Sequence, residues 1–223
     1  MILTFQMYYN DVVEEMSEGM LGDISFEYIF LTDCAIGSIH SSTLLPSSER
    51  LLSLSVDGLL NGGKLTEFPW DALHQFTSLY NVNIQFNSIT TLPQFESSSL
   101  MHLNISNLIR AAFIALSREW ADAKKHISAK SRGWNPITDI PAGFFRDMGN
   151  LERFDCYDCA LGPTLSTKYL EFHSLQPDTG LSISTNEIRE LTEVSFCPML
   201  EVLSLGTGSI NLNGEIFLDH NAP

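Results

Sequence analysis

Apolar residues recur along this chain in one motif: apolar-x-x-apolar-x-apolar-x-x-(Asn or Cys)-x-apolar. The clearest copy is Leu79, Val82, Ile84, Asn87, Ile89 and Leu92. Others run Phe26/Ile29/Leu31/Cys34/Ile36, Leu51/Leu54/Val56, Leu100/Leu103/Ile105, Leu151/Phe154/Cys156/Cys159/Leu161, Leu181/Ile183/Asn186/Ile188 and Leu200/Leu203/Leu205. Successive side chains of a strand face opposite ways, so two apolar residues one position apart point inward and the residue between them points out. The Asn or Cys that follows lets the chain turn inside a stack, because a small polar group there satisfies buried backbone groups of neighbouring copies.

The copies start near positions 26, 51, 79, 100, 151, 178 and 200. Every interval but one falls in the roughly 20–29 residue period of leucine-rich repeats, and the exception, from 100 to 151, reads as two such periods. One copy cannot bury its own apolar edge, whereas stacked copies bury a continuous core and align their strands as a parallel sheet. The expected fold is α/β: a leucine-rich repeat solenoid with a concave parallel sheet and about 7–8 repeats, one of them degenerate. Strands are predicted near residues 29–31, 54–56, 82–84, 103–105, 154–156, 181–183 and 203–205. Residues 1–24 read as an N-terminal flank or cap, and 25–218 as the solenoid.

Residues 108–133 break the pattern. A strand near Ile127 would turn Lys130 and Arg132 inward, and buried unpaired charge is too costly. Ile109, Ala112, Phe113, Leu116, Trp120 and Ile127 recur instead at roughly helical spacing. Six of the 12 cations, Arg110, Arg118, Lys124, Lys125, Lys130 and Arg132, fall in this stretch. It reads as an insertion or a scrambled repeat, with a basic amphipathic helix that recruits a partner or a membrane surface as the alternative. The pattern resumes at Trp134-Asn135-Pro136-Ile137.

Charge narrows the partners. With 27 acidic and 12 basic residues the net charge is −15, which disfavours nucleic acid and anionic membrane. No apolar run is long enough for a transmembrane segment. The first residues lack the early Lys or Arg of an export signal and run into Asp11, Glu14 and Glu15, so no signal peptide is expected in this chain.

Catalytic chemistry is thin. The six histidines are scattered through different repeats, without a metalloprotease, nucleophile-elbow or phosphate-loop pattern. Cys156-x-x-Cys159 resembles a redox or metal motif, but its register puts Cys156 at an inward strand position and Cys159 at the Asn position of the same repeat. The pair therefore reads as small buried hydrophobes bound to no metal, since zinc needs two further ligands. No enzyme activity and no cofactor are expected.

The outward strand positions remain as the candidate site. Among them Phe30, Asp57, Tyr80, Asn83, Gln85, Phe86, His102, Asp155, Tyr157 and Asp158 form a polar, acidic face with some aromatics. Aromatics beside hydrogen-bonding groups are what protein-binding hot spots contain. The expected partner is a protein on the concave face. Asn104-Ile105-Ser106 is a glycosylation sequon on that same face.

Several stretches carry a more specific resemblance. They include Asp23-Ile24-Ser25-Phe26-Glu27-Tyr28-Ile29, Leu65-Thr66-Glu67-Phe68-Pro69-Trp70-Asp71, Leu161-Gly162-Pro163-Thr164-Leu165-Ser166 and Phe196-Cys197-Pro198-Met199-Leu200-Glu201-Val202-Leu203-Ser204. Together they resemble the family of crustacean leucine-rich proteins that includes non-catalytic subunits of Oplophorus-type luciferin 2-monooxygenase. The resemblance implies a secreted leucine-rich subunit without chemistry of its own, supporting a separate catalytic chain. Against that resemblance this chain is expected to depart from the pattern in its signal peptide, in the foreign 108–133 stretch, in a repeat deleted around 173–178, and in a C-terminal cap replaced by Glu215–His220. A non-enzymatic binding scaffold is the leading expectation; a degenerate copy with a structural role or no selected partner is the rival.

Overall fold

The computed structural model describes residues 2–58, 62–106, 135–137, 140–141, 144–163, 176–186, 188–189, 191 and 193–213. Among these residues the strands are β1 (Thr4–Tyr8), β2 (Glu15–Met16), β3 (Tyr28–Thr32), β4 (Ser38–Ile39), β5 (Ser53–Asp57), β6 (Asn81–Asn83), β7 (His102–Asn104), β8 (Arg153–Asp155), β9 (Gly180–Ser182) and β10 (Ser209–Asn211). Among the described residues the α-helices are α1 (Ser41–Leu44) and α2 (Glu193–Leu203).

Eight strands form one parallel sheet in the order β1-β3-β5-β6-β7-β8-β9-β10. Register aligns the first inward position of every strand: Phe5, Ile29, Leu54, Val82, Leu103, Phe154, Leu181 and Ile210 stand side by side. The six inner members of this row are buried, while Phe5 and Ile210 at the two ends are only partly covered. Each fully buried side chain of this size contributes roughly 1.5–3 kcal/mol, so the row is a large source of cohesion. Behind the sheet, β2 pairs in parallel with β4, and Ser38 of β4 bridges to Glu67. In the core Phe68, Trp70, Phe95, Phe144, Phe145 and Phe154 pack as a chain of aromatic contacts with centroids 4.7–5.8 Å apart.

Six of the expected strands form at or within one residue of their predicted places. The seventh is corrected. Residues 203–205 are no strand: Leu203 ends α2, Leu205 is 79% exposed, and the last strand is β10. Phe196, Met199 and Leu203 are buried at helical spacing while Leu200 is 48% exposed, so the 3.6-residue period prevails over the period of two. The opening strand β1, inside the stretch read as flank, pairs with β3 along its whole length.

The interval from 100 to 151 is also corrected, because β7 pairs directly with β8 and no strand lies between them. It spans a single step between neighbouring strands. Asn87 donates from Nδ2 to the carbonyls of Ile84, three residues back, and of Val56 in the preceding turn, at 3.0 and 2.6 Å. Asn186 does the same to Ile183 and Cys156 at 2.7 and 2.8 Å. In the β7 turn those bonds come from Asn135, which donates to Ile105 and Ile84 at 3.0 and 2.9 Å, while its Oδ1 accepts from the Ile89 N–H at 2.9 Å. Thus Asn135 occupies in the β7 turn the place that Asn87 and Asn186 hold in theirs. Residues 107–134, and with them the expected helix at 108–133, lie outside the described residues.

Candidate functional site

The face of the main sheet opposite the core is polar. Its first row runs Thr4, Tyr28, Ser53, Asn81, His102, Arg153, Gly180 and Ser209, and its second Gln6, Phe30, Ser55, Asn83, Asn104, Asp155, Ser182 and Asn211. Neighbouring strands tie these side chains together. Asn81 and Asn83 donate to the hydroxyls of Ser53 and Ser55 at 2.8 and 3.2 Å, and Asn104 donates to Gln85 Oε1 at 3.2 Å. Asp57 accepts from the hydroxyls of Thr32 and Ser55 at 3.2 and 3.1 Å. Arg153 Nε lies 2.7 Å from Asp155 Oδ2, and this hydrogen bond, with the attraction of the carboxylate, raises the guanidinium above its ordinary pKa.

Two aromatic groupings stand on the face. Tyr28 and Phe30 stack with centroids 6.1 Å apart and planes at 15°. Tyr80, 37% exposed, meets His102 edge-on at 6.3 Å. Of the ten expected site residues, Phe30, Asp57, Asn83, Gln85, His102, Asp155 and Tyr157 are half-buried and Tyr80 is exposed.

Phe86 and Asp158 are not outward, and this corrects the expectation: they are 2% and 9% exposed. Both have left-handed backbones, φ 57° and 56°, as do Tyr9, Asp33 and Thr185 at the corresponding places just before Asn10, Cys34 and Asn186. Strand alternation ends at this residue, so counting faces past it fails. Conversely, Tyr28, Asn81 and Arg153 belong to the face and were missed. Each lies two residues before a predicted outward residue, so extending the alternation back by one pair finds them.

At one end of the face a hollow of about 580 Å³ is lined by His102, Glu152, Arg153, Asp155, Asp178 and Asn211 among others. Asp178 accepts the Thr207 N–H at 2.7 Å and its hydroxyl at 2.9 Å, which hold the carboxyl below the usual carboxylate range. Among the described residues no three His, Cys, Asp or Glu side chains converge as a metal site. No described helix is long and apolar enough to cross a membrane.

Cys156 and Cys159 are fully buried, as expected, but they are not separate thiols: they form a disulfide. The reading as independent small hydrophobes is therefore corrected. Both sulfurs point into one turn, with Cα atoms 5.6 Å apart, inside the span a disulfide bridges. Cys34 is a buried free thiol whose pKa burial pushes up, and Cys197 is free and exposed.

No family model matches this chain, and no solved structure matches it significantly. Among curated proteins it is similar to the Oplophorus-luciferin 2-monooxygenase non-catalytic subunit of Oplophorus gracilirostris, with 25% identity over 154 residues. The match covers 69% of this chain and 34% of that protein, so the chain spans about a third of the relative's length.

Proposed function

We propose that this chain is a leucine-rich repeat solenoid acting as a non-enzymatic scaffold, whose concave sheet face holds a protein partner. The observation that carries the reading is the face itself. Eight strands present a continuous, cross-linked polar surface with two aromatic groupings, which offers a partner hydrogen bonds and large flat contacts without a reactive centre. Likeness to a protein described as a non-catalytic subunit supports the same view. The disulfide in the β8 turn fits an oxidising, extracellular setting.

Tyr80, Phe30 and Tyr28 are the proposed anchors, with Asn83, Gln85 and His102 between the two aromatic groupings. Asp57, Asp155 and Tyr157 border them. Truncating an anchor buried at an interface centre costs about 2 kcal/mol or more, whereas border charges act mainly on association rate. The test starts from partners co-purified with the full chain from native tissue. Tyr80→Ala and Phe30→Ala are expected to weaken a genuine partner at least about tenfold. Asp155→Asn is expected to slow association at low salt with little change in dissociation. A partner whose affinity survives all of these substitutions sits elsewhere, and consistent failure to retain any partner favours a copy with no selected partner.

A further inference from the structure

We propose that the Cys156–Cys159 disulfide is a redox-controlled staple. It closes the β8 turn where an asparagine side chain closes the neighbouring turns, and its reduction loosens the arc that carries Tyr157 and Asp158. This inference is independent of any partner on the sheet face.

The comparison between turns carries it. In the β6, β7 and β9 turns, Asn87, Asn135 and Asn186 tie the outgoing chain to the end of its own strand by donating to Ile84, Ile105 and Ile183. In the β8 turn that position is Cys159, which has no amide to donate. The sulfur bridge from Cys159 to Cys156 spans the same three-residue interval that Asn87 spans to Ile84. The carbonyls an asparagine would have reached are already covered from the two neighbouring turns: Ile105 by Asn135 at 3.0 Å and Cys156 by Asn186 at 2.8 Å. So the disulfide supplies the tie from position 159 to the end of its own strand. The backbone N–H groups of the arc bond to other turns, Tyr157 N to Ser106 Oγ, Asp158 N to Ser184 O and Cys159 N to Asn186 Oδ1.

Reduction is a two-electron exchange. A thiolate of an external dithiol attacks one sulfur and forms a mixed disulfide, releasing the other cysteine. The second thiol of the reagent then closes its own ring, leaving two protein thiols and an oxidised dithiol. Protein thiols are weak donors and do not replace an amide clamp. Because both sulfurs are buried, the reagent reacts only when the arc opens, so the rate of reduction reads local opening.

The test uses the full chain, made under oxidising conditions, with and without dithiothreitol. Peptide mapping after alkylation reads the cysteines, hydrogen exchange reads residues 157–159, and thermal unfolding reads the whole. Reduction is expected to lower the midpoint by about 5 °C, and to speed exchange in the arc about tenfold or more while β5 is unchanged. The double variant Cys156→Val with Cys159→Asn restores an amide clamp, so its midpoint is expected near that of the oxidised protein and indifferent to reductant. Cys34 and Cys197 are retained in it, so effects through them appear in both proteins and cancel. Two free thiols at 156 and 159 in the oxidised preparation overturn the proposal, as does an equal reductant shift in the variant. If the variant does not fold, arc exchange in the unmodified chain decides alone: no acceleration on reduction refutes the staple.

Discussion

Asn87 and Asn135 make the same bonds from very different distances along the chain. One reaches back three residues to its strand, the other thirty. Truncation takes the side-chain partner from Val56 O and Leu65 N in the first case and from Ile105 O and Ile89 N in the second, at about 1–3 kcal/mol for each buried group, while Ile84 O keeps the other amide. Asn87→Ala and Asn135→Ala are therefore both expected to destabilise the chain by roughly 3 kcal/mol or more, read from urea unfolding midpoints. A negligible effect at Asn135 alone would mean that its turn is not closed as described. Phe86→Ala is expected to act through folding, costing about 3–5 kcal/mol as a core deletion. A purely partner-specific loss with unchanged stability contradicts the burial of Phe86. At Asp178 the depressed pKa implies a favourable contact with Thr207 that is present above the ordinary carboxylate pKa and lost as pH falls through the folded-state value. Thr207→Val removes the hydroxyl donor, so an NMR titration is expected to show the Asp178 pKa rising toward its usual value.

At the scale of elements, Asn135 completes the β7 turn as Asn87 completes the β6 turn. Two residues separate Ile84 from Asn87, and Ser106 with one further residue completes that count between Ile105 and Asn135. The residue just before the asparagine or cysteine is left-handed at Tyr9, Asp33, Phe86, Asp158 and Thr185, a conformation that glycine adopts without strain. Replacing 107–134 with a single glycine is thus expected to leave the β7–β8 pairing intact. Circular dichroism and the thermal midpoint would stay close to those of the full chain, and loss of cooperative unfolding would show that the insertion is part of the stack. The same comparison shows where cysteine substitutes for asparagine: Cys34 Sγ approaches the carbonyls of Met7 and Thr32 at 3.3 and 3.4 Å, a weak imitation of the amide.

For the whole molecule the balance is between one continuous core and a net charge of −15. Self-repulsion at that charge weakens the compact state and is screened by salt. The thermal midpoint is expected to rise between about 0.01 M and about 0.3 M sodium chloride, over which the screening length shortens severalfold. A flat response would mean that the acidic side chains are largely compensated within the fold. The sequence anticipated six inner strands and most of the polar face, because alternation within a strand is local and each turn repeats it.

From the sequence alone came the direction and spacing of the strands, the inward apolar row and the polar character of the opposite face. These follow from side-chain alternation and from the burial of one apolar face of the sheet. Tertiary structure decided what depends on distances between residues remote in the chain or on competition between periods. Asn135 closes a turn begun thirty residues earlier because β7 and β8 are adjacent in space. Phe86 goes inward because a left-handed residue ends the alternation, and Leu203 joins a helix because its neighbours bury better at a 3.6-residue period. Cys156 and Cys159 are joined because the turn brings both sulfurs to one place, which spacing permits and only the fold accomplishes.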